Sequence, residues 1–115
     1  MGFITHHCVV VTAWNDADAE KAHHEAEVLF TDLAHVTPLS PPAINSYVTF
    51  VVCPDGSKEG WGDSLHGDAA REQFKEWLRA QCYSDGSSPF EWAEISYGSD
   101  PDCARVEDSA WPKRE

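Results

Sequence analysis

The sequence predicts an α+β fold, a two-layer sandwich in which two helices cover one face of an antiparallel sheet. Apolar residues alternate along several short segments and recur at helical spacing in two longer ones. These segments follow the order strand, helix, strand, strand, helix, strand, the βαββαβ unit of ferredoxin-like folds. At 115 residues one domain is expected, with residues 1–106 forming it and residues 107–115 a loose C-terminal tail.

The first part of the chain predicts a strand followed by a helix. Residues 3–14 form the predicted strand, because Cys8–Thr12 is β-branched and almost continuously apolar, which is typical of strands buried on both faces. Asn15 or Asp16 can cap a helix over about residues 16–33, where apolar residues recur every three or four positions.

The middle of the chain predicts a loop and two strands. Residues 34–45 contain three prolines and predict a loop with an extended path. Residues 46–53 alternate as a half-buried strand does, and Pro54–Ser57 is a turn signal. The third strand, over residues 58–62, is polar and short, although a ferredoxin-like sheet needs it at its centre.

The last part predicts a second helix and two further strands. Gly67 opens the helix, which extends to about Gln81 and buries a stripe that includes Phe74. Residues 90–97 predict a strand, and residues 103–106 add a short strand at the edge of the sheet.

Alternation divides the strand residues between the two faces of the sheet. If Val9 and Val11 face the helices, the far face collects the apolar residues Val10, Trp14, Tyr47, Val51 and Trp92. Either the C-terminal tail or a loop covers this face, or the face binds another chain. Trp61, between two glycines, is likewise either folded onto the core or an exposed anchor for a partner.

The charge excludes some partners. The chain carries 20 acidic residues against 8 basic ones, a formal net charge of -12. This acidity argues against nucleic-acid binding through phosphate neutralisation and against docking on an anionic membrane. Much of it falls in the first predicted helix, which carries Lys21 alone against Asp16, Asp18, Glu20, Glu25, Glu27 and Asp32.

The N-terminus and the cysteines indicate the compartment. Residues 1–7 lack the basic and apolar regions of a signal peptide, so a cytoplasmic protein with reduced thiols is expected. The alternative is an exported protein with two disulfides among its four cysteines, Cys8, Cys53, Cys82 and Cys103.

Motifs for metal or covalent chemistry do not form. The run His23-His24-Glu25 lacks the second histidine four residues on that a helical zinc motif needs. Phosphate-binding glycine loops and nucleophile elbows are missing from the sequence, so no cofactor and no catalytic residue are predicted. The alternative is a small metal-dependent enzyme or ligand binder that uses His7, His24, His66 and acidic residues near the hairpin.

Several short stretches resemble those of small uncharacterised phage and prophage proteins. They are residues 54–61, 85–89 and 92–98, with His6-His7 before the first strand. The resemblance implies a phage accessory protein that acts in the host cytoplasm. The acidity then predicts a non-enzymatic factor that binds a basic host protein by electrostatic steering. An oligomeric structural or assembly protein, built through the apolar sheet face, is the remaining interpretation.

Overall fold

The computed structural model describes residues 5–54, 62–83, 85–98 and 104–110, with the side chains of the second helix from His66 onward. Across these residues the fold is α+β, with a four-stranded antiparallel sheet and two α-helices, which confirms the predicted class. In chain order the elements are β1 (Thr5–Ala13), α1 (Asp16–Leu29), β2 (Val48–Val52), α2 (Gly62–Ala80), β3 (Phe90–Gly98) and β4 (Arg105–Ser109).

The ferredoxin-like strand order is wrong. The sheet order is β2-β1-β3-β4, and β2 pairs directly with β1 in the antiparallel sense. The predicted third strand over residues 58–62 does not stand between them: Gly62 is the first residue of α2, and residues 55–61 lie outside the described part. The second helix therefore begins five residues before the predicted Gly67.

An extended segment after α1 lets β2 run antiparallel to β1. Residues 35–40 pair along the outer edge of β2, where Thr37 N–H donates to Val51 O and Cys53 N–H donates to His35 O. A 3-10 turn at Ile44–Ser46, with Asn45 at φ 62°, then reverses the chain into β2. The prolines of this segment are tolerated because an edge segment needs few of its own N–H groups.

The apolar core lies between the helices and one face of the sheet. Every second residue of β1 and β2 points into this core, as the sequence predicts. Val9, Val11 and Phe50, for example, are at most 2% exposed. The fully buried residues of α1 are all small, Ala19, Ala22 and Ala26, and Leu29 at its end packs against the same core. Phe74 of α2 fills the remaining space and meets Phe30 edge-on at a ring distance of 6.1 Å.

Two further expectations need correction. Trp92 faces the helices, 6% exposed, and not the far face, because it shares its side of β3 with Phe90 and Glu94. Residues 107–109 are not a loose tail, since they form the second half of β4 and pair with β3. The N-cap of α1 is as expected: Asn15 Oδ1 accepts from Asp18 N–H at 2.8 Å.

Candidate functional site

The far face of the sheet divides into two parts. In its middle, Val10 lies directly opposite Val51, and both are half-buried. Nearer the end of β1 the face becomes polar, where the hydroxyls of Thr12 and Thr49 hydrogen-bond at 2.8 Å. The predicted aromatic residues lie beyond this polar step and do not form one continuous apolar surface with Val10.

Trp14 and Tyr47 meet Tyr83 in a cavity of about 420 Å³ at that end of the sheet. Asp85 and Glu91 also line it, and we call this group of five residues the aromatic–acidic pocket. Trp14 is 54% exposed and Tyr83 is 41% exposed, so both rings present a large area to the surface. A volume of this size is within the range that binds a side chain or a small ligand.

A chain of hydrogen bonds fixes the exposed rings. Trp14 Nε1–H donates to the Tyr83 hydroxyl at 3.2 Å, and that hydroxyl donates to Asp18 Oδ2 at 3.3 Å. Asp18 is held in turn by Asn15 Nδ2 at 2.7 Å, within the first turn of α1. The pocket is therefore joined to the acidic N-terminus of α1 by direct contacts.

The loop that carries Tyr83 is held by its own backbone. Tyr83 N–H donates to Ser87 O at 2.7 Å, and Gly86 N–H returns to Tyr83 O at 2.9 Å. Gly86 has φ +87°, a left-handed conformation that favours glycine. Hydrogen bonds from the side chain and backbone of Ser87 lower the pKa of Asp85, so its carboxylate is charged near neutral pH.

The acidic residues of α1 lie on two flanks of the helix and not on one face. Asp18 and Glu25, two turns apart, are half-buried on the flank toward Tyr83. The exposed residues Asp16, Glu20 and Glu27 lie on the opposite flank. There Glu27 pairs with His23 at 3.1 Å, and His23 Nε2 contacts Thr37 O.

A second group of charged residues fills the space between α2 and the sheet, at the other end of β1. Glu94 accepts from Lys75 Nζ at 2.7 Å and contacts His7 Nδ1 at 3.2 Å. Arg71 Nε lies 3.7 Å from Glu94, and Asp108 of β4 contacts Lys75 at 3.1 Å. We call these five residues the ion-pair cluster, and a cavity of about 700 Å³ adjoins it.

The cluster is buried and its charges are paired. Glu94 and Lys75 are 6% and 3% exposed. Burial would lower the pKa of Lys75, but the hydrogen bonds that its ammonium group donates to Glu72, Glu94 and Asp108 outweigh burial and raise the pKa above the usual lysine value. Burial would likewise raise the pKa of Asp108, but bonds from Arg79 and Lys75 lower it. Lys75 and Asp108 are therefore both charged at neutral pH.

The predicted histidine site does not form within the described residues. His7 belongs to the ion-pair cluster, whereas His24 and His66 are exposed on the two helices. Across the ranges that the structure describes, no group of three or more His, Cys, Asp or Glu side chains is placed to hold a metal ion. Trp61 and the hairpin residues 55–61 lie outside those ranges.

Comparisons with known proteins give no relative. No family model, no curated protein and no solved structure matches the chain. The resemblance to phage and prophage proteins thus stays a prediction. Among the described helices, none is long and apolar enough to cross a membrane.

Neither Tyr83 nor the ion-pair cluster is predicted from the sequence, and the reasons differ. Tyr83 follows α2 in a polar loop, and no local pattern connects it with Trp14, which lies 69 residues earlier. Glu94 did carry a signal, since it alternates with Phe90 and Trp92 on the core-facing side of β3. A carboxylate at such a position requires a buried cation, which Lys75 provides.

Proposed function

We propose that the protein is a non-enzymatic binding factor that recognises a basic segment of another protein through the aromatic–acidic pocket. This proposal rests on the exposed rings of Trp14 and Tyr83, which are hydrogen-bonded to one another. The Tyr83 hydroxyl also hydrogen-bonds Asp18, and these bonds hold both rings in place. Aromatic faces attract lysine ammonium and arginine guanidinium groups, and nearby carboxylates strengthen that attraction. Because hydrogen bonds already hold the rings, little conformational entropy is lost when a partner binds.

The distribution of charge supports the same partner. The basic residues Arg71, Lys75, Arg79 and Arg105 all form ion pairs with acids on α2, β3 or β4. On α1, by contrast, Lys21 is the one lysine or arginine, and the other turns of this helix carry acidic residues without a lysine or arginine beside them. A basic partner would therefore be steered toward α1 and the pocket beside it.

The partner's biological class is proposed on the resemblance to phage and prophage proteins. A phage accessory factor of this kind would act on a basic protein of the host, such as one that handles nucleic acid. Self-association through Val10 and Val51 is the competing proposal, favoured by their half-buried position on the open sheet face. A concentration-dependent native mass would support self-association over a foreign partner.

A basic peptide tests the proposal directly. We would titrate the protein with a synthetic lysine–glycine peptide and, as a reference, with its glutamate–glycine counterpart, using calorimetry. Tyr83→Ala should weaken binding of the basic peptide about tenfold, since the ring and its bonds to Trp14 and Asp18 are lost.

Tyr97→Ala is the matched control for this experiment. Tyr97 is 41% exposed, as Tyr83 is, but its ring contacts the tilted ring of His6 at the opposite end of β1, with 5.3 Å between the ring centroids. This variant should bind the peptide with unchanged affinity. Equal losses in the two tyrosine variants, or equal binding of the acidic peptide, would overturn the proposal.

A further inference from the structure

Cys8 and Cys53 occupy matching positions on two neighbouring strands. β1 and β2 pair with Val9 opposite Val52 and Val10 opposite Val51, so continuing the register by one residue places Cys8 opposite Cys53. Both thiols are free and half-buried. Their side chains lie on the far face of the sheet, since Val9 and Val52 on either side of them point into the core.

Backbone hydrogen bonds show what kind of pair this is. Cys53 N–H donates outward to His35 O, and Val51 N–H and Thr49 N–H donate to the hydroxyls of the same outer segment. Thr49, Val51 and Cys53, whose N–H groups point away from β1, therefore form non-hydrogen-bonded pairs with β1. Opposed Cα atoms in such pairs are about 4.5 Å apart, the closest approach in an antiparallel sheet. Disulfides span Cα distances of roughly 4.4–6.8 Å, so the backbone need not move for the two sulfurs to bond.

The electrostatic environment of the Cys8 thiol includes Cys53. Burial, and after it the neighbouring Cys53, raises the pKa of the Cys8 thiol. In the described part of the chain, these two cysteines belong to no group of side chains that could hold a metal ion. Half-burial leaves each thiol within reach of a small reagent.

We propose that Cys8 and Cys53 form a reversible disulfide by exchange with a small-molecule disulfide such as oxidised glutathione. The thiolate of one cysteine attacks the small disulfide, releases one glutathione thiol and leaves a mixed disulfide on the protein. The second cysteine then attacks the protein-bound sulfur and releases the second glutathione thiol. Two S–H bonds of the protein are lost and one S–S bond forms, while the small disulfide is reduced and the two protons end on its thiols.

The bond would fasten β1 to β2 across the open sheet face, beside Val10 and Val51. It would close the long connection that contains α1, residues 35–40 and the 3-10 turn. Closing a connection of this length restricts the unfolded chain more than the folded one. The oxidised protein is therefore expected to be the more stable form.

Mass spectrometry and thermal unfolding test the site together. In full-length protein carrying Cys82→Ser and Cys103→Ser, incubation with oxidised glutathione should remove two hydrogen atoms and yield one peptide pair joined through Cys8 and Cys53. The Tm should rise by on the order of 10 °C and fall back after dithiothreitol. Two thiols that stay free, or two separate glutathione adducts on protein with a native circular dichroism spectrum, would overturn the proposal.

Cys8→Ser in the same background is the control. It should stop at a single glutathione adduct on Cys53, because no second thiol remains to complete the exchange, and its Tm should not rise. A Tm rise equal to that of the parent would show that the stabilisation does not come from the cross-link and would contradict the assignment.

Discussion

The two ends of β1 use acidic residues in opposite ways. At one end the ion-pair cluster buries Glu94 against Lys75, His7 and Arg71 between α2 and the sheet. At the other end Asp18 faces the surface beside the exposed rings of the aromatic–acidic pocket. The same side-chain chemistry therefore holds the layers together in one place and lies beside surface-exposed rings in the other.

This difference explains how the net charge is presented. Four basic residues, Arg71, Lys75, Arg79 and Arg105, are in ion pairs with acids around α2 and β4. These four cations are thereby paired within the fold. The acidic residues of α1 are left with Lys21 and, on one flank, His23. The acidic residues of α1 thus have fewer cations beside them than the acidic residues around α2 and β4.

The largest expected effect is on the stability of the cluster end. Lys75→Met removes the cation nearest to the buried Glu94 carboxylate, which Arg71 and His7 still contact, and losing one partner of a buried ion pair in this way costs about 3 kcal/mol of unfolding free energy. Urea unfolding would measure it. Binding of the lysine–glycine peptide should not change in protein that remains folded.

Two further variants sharpen this prediction. Lys21→Met removes an exposed lysine from α1 and should change the unfolding free energy by less than about 0.5 kcal/mol. Lys75→Met combined with Glu94→Leu replaces both charges by apolar groups and should recover much of the loss. A double variant as unstable as the sum of its single variants would contradict a role based on the pair.

The next largest effect is expected at low pH, which should lower the free energy of unfolding through the carboxyl groups at and beside the ion-pair cluster. Hydrogen bonds from Ser96 and Arg105 lower the pKa of Glu107, and the pKa of Asp108 is lowered by bonds that outweigh burial. Carboxyl groups with a lowered folded-state pKa add stability above their unfolded pKa, near 4, and lose it as the pH falls through the folded value.

Urea unfolding across the acid range measures this dependence. Asp108→Asn should lower the unfolding free energy by about 1 kcal/mol at neutral pH and reduce its fall below about pH 4. Glu76→Gln, an exposed acid on α2, is the control and should leave the slope as in the parent. If Asp108→Asn keeps the full acid-induced loss, the ion pairs of Asp108 do not contribute to stability.

The smallest expected effect belongs to the pocket end. Asp18→Asn keeps the shape of the side chain but removes its charge, so affinity for the lysine–glycine peptide should fall about threefold with little change in stability. The association rate should also become less sensitive to salt. Asp18→Asn protein whose association rate keeps the parent's salt dependence would mean that this charge does not steer the peptide.

Local patterns in the sequence predict much of the fold. Alternation in Val48–Val52 predicts which residues face the core, and Asn15 is the one of the two predicted N-caps that begins α1. The continuous apolar run of β1 predicts burial on both faces, whereas the structure buries one face of Val9–Ala13 fully and the other only in part. The strand order was not predictable in this way. The strand order depends on residues 35–40, which belong to the predicted proline-rich loop of residues 34–45. Residues 35–40 pair with β2 through backbone and hydroxyl hydrogen bonds.

The candidate sites were predictable only in part. Trp14, Tyr47 and Asp18 were chosen from burial and charge arguments, and the structure brings all three to one place. Tyr83, which connects them, contacts Trp14 across 69 positions of sequence separation. A single sequence carries no signal for such a contact, because it arises from how α2 ends against the sheet.

Nuclear magnetic resonance gives the most direct test of the central claim, that the pocket end binds a basic segment. We would titrate isotope-labelled protein with the lysine–glycine peptide and assign the Trp14 indole Nε1–H by its loss in Trp14→Phe. If the pocket binds the peptide, that indole signal and the amide signals of Asp18 and Tyr83 should show saturable shifts. The amide signals around Tyr97 should not change. Shifts confined to the Tyr97 end or to residues of the ion-pair cluster, with the Trp14 indole unmoved at saturation, would contradict it.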